Sequence, residues 1–364
     1  MAKRKHRKKR PSSPLRRLGR GLYRTLVALS GLIVGCCVAV KAVSRRPTTA
    51  QGAVRPGQAV AGPVSSTPAA DADAEQGPQR REGTWTFLLA AEDQVSGSAD
   101  TIMVCTYDTV GQKIGLVSLP RDTLVDRRVG PYHYHKLNAA YPNGNVAFPP
   151  DGGIRELTAA VSEVLGIPID HYVLVDTHLF VGLVDAVGGV DFNVPVYMNY
   201  DAPDQDLHIH FEPGLQHLNG QQALEVVRCR KNSDGPGEYP HNIYDAYPDA
   251  DIGRTRTQQE MVKAIARKVL SNPQKVASYV ELLSKYVRTD LELGNFLWFV
   301  GPALAFDFDN LTTATLPGDG GKRYNGVQSV YELDAEESLR IINECLNPYT
   351  TDVTMSMTRM IRAG

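Results

Sequence analysis

The sequence predicts an α/β fold, in which helices cover a sheet on both sides. Short apolar runs rich in β-branched residues alternate with segments whose apolar residues recur at helical spacing. No linker-like stretch interrupts this alternation over residues 84–348. The chain has 364 residues, of which 42% are hydrophobic, and this length suffices for one large domain or two ordinary ones. We therefore predict a single α/β domain over residues 84–348.

The predicted elements follow one another in a regular order. Three neighbouring strands are predicted in TWTFLLAAED, DTIMVCTYD and KIGLVSLPRD, because each run is apolar and bounded by turn residues. GGIRELTAAVSEVLG places Leu157, Val161, Val164 and Leu165 on one helical face and has a glycine stop at Gly166. A strand in HYVLVD, a short helix in THLFVGLVDAVGG and a strand in VDFNVPV come next. The alternation continues through QKVASYVELLSKYV, NFLWFVGPALAF, TTATLP and DAEESLRIINECL.

The N-terminal region differs from this domain in charge and hydropathy. Residues 1–24 carry eleven Lys and Arg and no acidic residue, whereas residues 25–40 carry no charge. We predict that residues 25–43 form one transmembrane anchor, since this apolar run is just long enough to span a bilayer. A cleaved signal peptide is the alternative, but no convincing cleavage site precedes Lys41. By the positive-inside rule, residues 1–24 are then a cytoplasmic tail and the domain is extracytoplasmic.

Two further segments flank the predicted domain. Residues 44–83 are rich in Pro, Ala, Gly and small polar residues, so we predict a flexible linker that keeps the domain near the membrane. Residues 349–364 are predicted to form a C-terminal tail. A nucleic-acid role for the basic residues is not favoured, because basic residues beside a membrane span set its topology. The five cysteines include no CxxC pair, which argues against a redox or metal site built from them.

Polar residues gather where the predicted strands begin and end. They are Asp93 after the first strand, Asp100 before the second, Arg121 and Asp122 after the third, and Lys136 and Asn138 in the following HKLN. In an α/β sheet, ligands usually bind beyond the carboxyl ends of the strands, where loops converge. These residues are therefore candidates for one polar site.

Two arginine clusters follow later in the chain. VVRCRKN contains Arg228 and Arg230, which would share a face only if the segment is extended. DADIGRTRTQQEMVKAIARKVL contains Arg254, Arg256 and Gln258 near the start of a predicted helix, with Arg254 and Gln258 on one face. The guanidinium fork and the N–H groups of a helix N-terminus both suit phosphate. We expect the clusters to converge on a phosphate group; a surface salt bridge is the alternative for any single arginine.

Six ordered motifs carry a resemblance to a known family. They are TFLLAAED, SADTIMV, VSLPRDT, HKLNAAY, GLQHLNGQQALEVVRCR and DIGRTRTQQ. In this order and spacing they resemble the LytR-CpsA-Psr proteins of bacterial cell envelopes, over essentially all of residues 84–348. The resemblance implies an α/β/α sandwich with a central mixed sheet and a hydrophobic groove for a lipid. It also implies a phosphotransferase that moves a glycopolymer, such as teichoic acid or capsular polysaccharide, from a polyprenyl pyrophosphate carrier to peptidoglycan.

The resemblance implies roles for individual residues as well. Asp93 and Asp100 match the family's magnesium carboxylates, so Mg²⁺ is the expected cofactor. The residues that match its pyrophosphate-binding side chains are Arg121, Arg228, Arg230, Arg254 and Gln258, with Lys136 at a further basic position of the pocket. Asn138, Arg256 and Asp122 are added to the substrate-binding candidates. Either Asp93 or Asp122 is a candidate general base, and the sequence does not choose between them.

Two positions depart from the family pattern. Ser98 stands where the family usually has an arginine two residues before the second magnesium carboxylate. Thr257 stands where the family usually has an arginine before the paired glutamines. Arg256 is no automatic substitute, because one position on a helix turns a side chain by about 100°. Both departures lower the local positive charge, and we still expect an active enzyme.

Two other functions stay open from the sequence alone. A pyrophosphatase would transfer the same phosphorus to water, and a membrane-anchored scaffold or regulator would bind polyprenyl lipids without turnover. His208 and His210 in LHIHF provide too few ligands for a zinc site and are expected to face solvent on a strand. The insert SDGPGEYPHNIYDAYPDAD is either a mobile surface loop or a lid over the polymer.

Overall fold

A computed structural model describes residues 44–50, 78–93, 97–203, 207–233, 244–247, 251–272, 275, 279 and 287–363. The predicted cytoplasmic tail, the predicted anchor at residues 25–43 and most of the predicted linker lie outside these ranges. Within them, no helix has the length and apolar character needed to cross a membrane. The anchor therefore stays a prediction.

Sixteen strands are described, and six of them form the central sheet. The strands are β1 (Thr84–Asp93), β2 (Ser98–Asp108), β3 (Lys113–Ser118), β4 (Leu124–Val129), β5 (Tyr132–Lys136), β6 (His171–Asp176), β7 (Val190–Val194), β8 (Met198–Ala202), β9 (Leu207–Phe211), β10 (Gly214–Leu218), β11 (Lys231–Asn232), β12 (Tyr244–Asp245), β13 (Arg288–Thr289), β14 (Leu311–Thr315), β15 (Gly318–Tyr324) and β16 (Val327–Leu333). The central sheet has the order β13-β6-β1-β2-β3-β14. Its β1–β6 and β3–β14 pairs are parallel and the others antiparallel, so the sheet is mixed.

The α-helices that the structure describes pack around this sheet and its attached hairpins. They are α1 (Ala140–Ala147), α2 (Gly152–Leu165), α3 (Thr177–Ala186), α4 (Gly220–Arg228), α5 (Asp251–Leu270), α6 (Leu293–Leu304) and α7 (Ala335–Ile341). The predicted glycine stop of α2 is confirmed, because Gly166 caps it with a φ of 70°. The predicted helix in QKVASYVELLSKYV lies outside the described residues apart from Lys275 and Tyr279.

One face of the sheet carries the larger hydrophobic core. Because side chains alternate along a strand, every second residue of β1 faces this core. The buried residues of the sheet are Leu88, Ala90, Ile102, Val104 and Val117, and those of the covering helices include Ile154, Leu157, Val161 and Ile341. Helices α2 and α7 therefore form one outer layer.

The opposite face of β1 contacts α6 and faces α5. The ring centroids of Trp85 and Trp298 are 4.8 Å apart, and those of Phe87 and Phe299 are 5.4 Å apart. Farther along β1, Leu89 and Ala91 face α5 across a cavity. With helices on both faces of a mixed sheet, the predicted α/β class is confirmed.

A second hydrophobic cluster supports the arginine-bearing segments. It joins the antiparallel β7–β10 pair and the β8–β9 hairpin to α3, α4 and α5, with Phe192, Ile209, Val184, Val226 and Met261 among its buried residues. The end of α4 and the start of α5 are thereby held against the same core. This cluster fixes the two predicted arginine clusters relative to each other.

The described parts of the predicted linker and tail contact the domain. Tyr349 and Val353 are buried in the main core. Arg80 pairs through its backbone with Tyr349 and through its side chain with the fully buried carboxylate of Asp170. These contacts extend the packed region beyond the predicted boundaries at residues 84 and 348.

Candidate functional site

A cavity of ≈ 700 Å³ lies between the second face of the sheet and helices α3, α4 and α5. Most of its wall is apolar, and the sheet and all three helices contribute to it. The apolar lining residues include Leu89 and Met103 of the sheet, Val173 and Val175 of β6, Phe180 and Leu183 of α3, Leu224 and Val227 of α4, and Met261 and Ile265 of α5. The cavity therefore suits a hydrophobic ligand of considerable size.

Charged groups occupy one end of this cavity. On α5 the lining residues, in order along the helix, are Arg254, Gln258, Met261, Val262, Ile265 and Ala266. They recur at helical spacing, so one face of α5 changes from cationic to apolar over about 18 Å. The same change occurs on α4, where Leu224 and Val227 precede Arg228. The cavity thus has a polar end and an apolar body.

Four arginines from three parts of the chain meet at the polar end. They are Arg121 from the loop after β3, Arg228 and Arg230 from the end of α4, and Arg254 from the first turns of α5. Asn138 and Gln258 line the same cavity. Arg254 is only 8% exposed, so its charge is held in a largely desolvated position. This arrangement is suited to binding a multivalent anion.

The local structure explains how Arg228 and Arg230 reach one cavity. ALEVV is helical, and α4 begins with a capping box between Asn219 and Gln222. The helix ends at Arg228, and Cys229 is extended, with φ −63° and ψ 128°. The chain therefore changes direction between the two arginines, which lets both side chains face the cavity.

Cys229 itself does not provide a nucleophile at this site. Its side chain is buried, and burial raises the pKa of the Cys229 thiol to about 12. A thiol with this pKa carries almost no thiolate near neutral pH.

Asp100 lies at the polar end beside Arg121. Its Oδ2 accepts a hydrogen bond of 2.8 Å from Nη1 of Arg121, and its Oδ1 accepts one of 3.0 Å from the Ser98 hydroxyl. Asp93 is opposite Ser98 in the β1–β2 ladder, so its backbone lies at the same end of the hairpin as Asp100. The side chain of Asp93 lies outside the described structure.

Two carboxylates that the sequence did not single out line the same cavity. Glu92 accepts a hydrogen bond of 2.9 Å from the Tyr141 hydroxyl, and Asp176 caps α3 by accepting one of 2.8 Å from the Leu179 N–H. Together with Asp100 they provide oxygen ligands of the type that Mg²⁺ prefers. The ligand type suits a magnesium ion, although these three described carboxylates do not bring their oxygens within 4.8 Å of one another. The signal of Glu92 and Asp176 in the sequence was weak, because an acidic residue in the last two positions of a strand is common on protein surfaces.

A second cavity of ≈ 340 Å³ lies beside the first, and Asp122 is one of the residues that line it. The Lys136 ammonium lies 3.0 Å from Oδ1 of Asp122, which lines this second cavity. Arg121, Arg230 and Lys231 line both cavities, which therefore adjoin. Lys231 was missed in the sequence, although it directly follows the RCR motif.

Arg256 does not line either cavity. It is exposed on α5, whereas Arg254 and Thr257 on either side of it are buried. Arg256 was a substrate-binding candidate from the sequence, and in this structure it lies apart from both cavities. The structure thus separates Arg256 from the other predicted arginines.

The paired glutamines of α5 have different contacts. Gln258 lines the cavity and donates a 3.2 Å hydrogen bond to the carbonyl oxygen of Val227. Gln259 is buried and donates to the Ala314 carbonyl oxygen at 2.7 Å and to the Ser118 hydroxyl at 2.8 Å. Gln258 therefore connects α5 to α4 at the site, whereas Gln259 connects α5 to the sheet.

The small side chain of Thr257 lies beside the buried side chain of Tyr247. Its hydroxyl lies 2.8 Å from the hydroxyl of Tyr247, and a Cβ added at Gly253, one turn earlier, would lie 2.4 Å from Tyr247. Small residues at both positions leave the space that this ring fills. The departure from the family pattern at Thr257 thus coincides with a buried tyrosine from the insert.

The stem of that insert is a short ladder. β11 pairs with β12 through Lys231 opposite Asp245 and Asn232 opposite Tyr244. The rest of residues 231–250, apart from Ser233, Ala246 and Tyr247, lies outside the described structure, so its function as a lid stays a prediction.

Comparisons with known proteins agree with this fold. A model of the LytR_cpsA_psr family matches residues 64–346. The polyisoprenyl-teichoic acid–peptidoglycan teichoic acid transferase TagU of Bacillus mycoides is 31% identical over 254 residues, covering 68% of this chain and 73% of that protein. The similarly named TagV of Bacillus subtilis is 30% identical over 270 residues, covering 71% of this chain and 62% of that protein. The crystal structure of B. subtilis TagV is 25% identical, with a TM-score of 0.58, and covers 74% of this chain and 100% of that one.

The family model covers far more than half of the chain, and the resemblance in the motifs extends over the same region. The chain therefore belongs to the LytR_cpsA_psr family.

Proposed function

We propose that this transferase moves a glycopolymer, of the teichoic acid or capsular polysaccharide type, from a polyprenyl pyrophosphate carrier to peptidoglycan. The single observation that carries the proposal is the cavity itself, whose apolar body continues into an end lined by four arginines. A polyprenyl pyrophosphate has the same division, with a long hydrocarbon chain joined to a compact, densely charged group. The names of TagU and TagV support the same chemistry.

The apolar body would bind the isoprenoid chain. Leu183, Val227 and Ile265 come from three different helices and face the sheet across the cavity. Burying apolar surface contributes about 25 cal/mol per Å², so a chain that fills this space gains affinity along its length. This apolar contact does not depend on which polymer is attached, so it suits a common carrier that delivers different polymers.

The arginine end would bind the pyrophosphate and stabilise charge during transfer. Arg121, Arg228, Arg230 and Arg254 approach from separate elements, so they can hold several phosphate oxygens at once. Groups held in place by the fold need no reorganisation when charge develops on the leaving phosphate. Positioning and electrostatics therefore supply most of the catalysis we propose.

Magnesium is the cofactor we propose, held by Asp100 and Asp93. The ligand type fits, because Asp100, Glu92 and Asp176 carry carboxylate oxygens and line the same cavity as the arginines. When bound, Mg²⁺ would neutralise part of the charge on the pyrophosphate oxygens. The ion pair with Arg121 would also keep the Asp100 carboxylate in place beside the phosphate site.

In the proposed reaction, a peptidoglycan hydroxyl attacks the phosphorus next to the polymer. A new P–O bond forms to the acceptor oxygen, the P–O bond to the carrier breaks, and polyprenyl phosphate leaves with the bonding electron pair. The hydroxyl proton passes to a carboxylate, for which Asp93 and Asp122 are the candidates. Asp122 lines the adjoining cavity and is held by Lys136, so we propose that this second cavity receives the acceptor.

The proposed location follows from the predicted anchor at residues 25–43. With residues 1–24 in the cytoplasm, the domain would face the extracytoplasmic side, where peptidoglycan lies. The predicted linker would keep the arginine end close to carrier lipids in the same membrane and raise their effective concentration. No ATP is needed, because cleavage of the pyrophosphate bond drives the transfer.

The proposal is tested by incubating the full-length chain in detergent with a synthetic polyprenyl-pyrophosphoryl oligosaccharide, Mg²⁺ and peptidoglycan fragments. Mass spectrometry should detect an oligosaccharide-phosphate adduct on the glycan, and EDTA should abolish it. Arg230→Ala should lower the yield strongly. Arg128→Ala is the matched control, because Arg128 is an exposed arginine that lines neither described cavity.

Other outcomes would identify a different function. Release of free phosphorylated oligosaccharide with peptidoglycan present would indicate a pyrophosphatase. Tight binding of the carrier lipid without any product would indicate a scaffold or regulator. Either result contradicts the proposed transfer.

A further inference from the structure

A separate group of metal-ligating side chains lies on the β4–β5 hairpin. Asp126 of β4 and His133 and His135 of β5 each direct one ligand atom to a common point, and these atoms all lie within 4.8 Å of one another. None of the three residues lines either of the cavities described above. The group is therefore outside the proposed transfer site.

The strand register explains why these three residues meet. Leu124 is opposite Lys136 and Arg127 is opposite Tyr134, so Val125 and Asp126 together stand across from His135. His133 and His135 are two residues apart and lie on one face of β5. Directly opposed and diagonal residues of an antiparallel pair are close enough for their side chains to touch. The register also shifts between Leu124 and Arg127, which places an irregularity of β4 at Asp126.

The contacts within the group converge on one carboxylate. Oδ1 of Asp126 is hydrogen-bonded to Nε2 of His133 and lies 3.4 Å from Nδ1 of His135. The two imidazole rings have centroids 4.4 Å apart. Tyr324 of β15 donates a 3.2 Å hydrogen bond to Oδ2 of Asp126, and its ring lies 5.2 Å from that of His135.

The position of His135 is the observation that points to a ligand. Its side chain is only 10% exposed, and its Nδ1 has no hydrogen-bond partner among the described residues. An enclosed polar nitrogen without a hydrogen bond is unfavourable, and the 3.4 Å contact with Asp126 does not provide one. A metal ion at this point would satisfy Nδ1 and would also draw the three ligand atoms together.

We propose that Asp126, His133 and His135 bind one divalent transition-metal ion of the Zn²⁺ class. Two imidazoles and a carboxylate form a common ligand set for Zn²⁺. Tetrahedral coordination requires ligand atoms about 3.3 Å apart, which small side-chain rotations reach from the present separations. The fourth position is open to water or to the Tyr324 hydroxyl. Mg²⁺ prefers oxygen ligands alone, so this ion differs from the magnesium proposed for the transfer site.

The site would join two hairpins next to the second cavity. β5 ends at Lys136, which pairs with Asp122 of that cavity, and Tyr324 ends β15. A bound ion would fix the β4–β5 hairpin through three ligands and hold it near β15 through the contact with Tyr324. The inference stands on these contacts alone and does not depend on the proposed transfer reaction.

A second histidine group of the same composition provides a matched control. His208 Nδ1 lies 2.7 Å from Oδ1 of Asp201, and His210 Nε2 lies 3.2 Å from Oδ2 of the same residue. His210 Nε2 also lies 3.3 Å from Oδ1, and Nδ1 of His210 lies 2.7 Å from Oδ1 of Asn199. Among the described residues only the group on the β4–β5 hairpin brings three ligand atoms within 4.8 Å of one another, so the His208 group should bind zinc much more weakly. His208 and His210 are also about half exposed, as the sequence predicted.

The test is isothermal titration calorimetry of the full-length chain in detergent with ZnCl₂. The chain is purified without a histidine tag and treated with a chelator beforehand. The chain should bind one equivalent of Zn²⁺ in the micromolar range or tighter, and 10 mM MgCl₂ should not compete. The double variant His133→Gln/His135→Gln should lose at least about 100-fold in affinity. His208→Gln/His210→Gln should titrate like the wild type. Saturating Zn²⁺ should raise Tm by about 5 °C in the wild type and not in the first double variant.

Several outcomes would overturn the site. They are no binding by the wild type, wild-type affinity in His133→Gln/His135→Gln, or loss of binding in His208→Gln/His210→Gln instead. Circular dichroism without metal checks that each variant folds. Should the double histidine variant fail to fold, Asp126→Asn replaces it and should show the same loss of affinity.

Discussion

Nη1 of Arg121 lies 2.8 Å from Oδ2 of Asp100, so a predicted pyrophosphate ligand and a predicted magnesium ligand form an ion pair with each other. The two side chains are 25% and 31% exposed. Ion pairs that solvent can screen in this way contribute about 0–1 kcal/mol. Little free energy is therefore lost when the pair opens to accept a phosphate oxygen or a cation. The pair keeps both groups in position without blocking the site.

Replacing Arg121 tests the arginine end of the cavity. Arg121→Ala should lower kcat/KM for polymer transfer by about 10²–10³-fold, because it removes a positioned donor from the developing charge. The measurement is the initial rate of adduct formation, read by mass spectrometry. Arg128→Ala should stay within about twofold of the wild type. A wild-type rate in Arg121→Ala would place the reaction elsewhere.

Substitution of the two glutamines of α5 should have different effects, one on stability and the other on substrate binding. Gln259→Ala removes the donor to Ala314 and Ser118 in a buried position, so the free energy of unfolding should fall by about 1–3 kcal/mol. Gln258→Ala should change stability less and raise the KM for the carrier, since Gln258 lines the cavity. Urea unfolding and transfer kinetics measure the two effects. The reverse pattern would contradict the assignment.

Arg127 should be important for stability rather than for transfer. Its Nε lies 2.9 Å from Oε1 of Glu156, its Nη1 pairs with Glu163, and all three side chains are largely buried. Arg127→Ala leaves Glu156 without its cation and Glu163 with only the half-exposed Arg359, so it should cost about 3–5 kcal/mol of unfolding free energy. Urea unfolding provides the measurement. Arg128→Ala on the exposed side of the same strand should stay within about 0.5 kcal/mol of the wild type.

The raised pKa of Tyr247 predicts a loss of stability at alkaline pH. Burial raises the pKa of Tyr247 from 10.0 to about 12, so the folded state retains the phenol proton where the unfolded state loses it. The stability linked to this proton is complete below pH 10 and falls as the pH rises from 10 towards 12. Urea unfolding from pH 9 to 11.5 should therefore show a smaller decline in Tyr247→Phe than in the wild type. Parallel declines would show that Tyr247 titrates normally.

The departure at Thr257 can be tested by restoring the residue usual in the family. Thr257→Arg should lower the free energy of unfolding by about 1–3 kcal/mol, because the larger side chain collides with the buried ring of Tyr247. Adding Tyr247→Ala should give a combined loss smaller than the sum of the single losses. Strict additivity, measured by urea unfolding, would show that the two side chains do not compete for the same space.

The sequence by itself determined the elements and the family. Strands such as β1 and β6 follow from apolar runs bounded by turn residues, and α2 ends at Gly166 because glycine adopts a positive φ at little cost. These signals are local, so they can be read without knowledge of the partners. The ordered motifs carried the resemblance to the LytR_cpsA_psr family for the same reason, because each is a short contiguous stretch.

Only the tertiary structure decided which side chains share a surface. Arg121 and Arg254 line one cavity, whereas Arg256 is exposed and Lys136 pairs with Asp122 in the wall beside it. The group around His135 depends in the same way on the register of β4 against β5. Helix direction, strand register and packing between distant segments determine these contacts. A short stretch of sequence does not contain them, because each depends on residues far away in the chain.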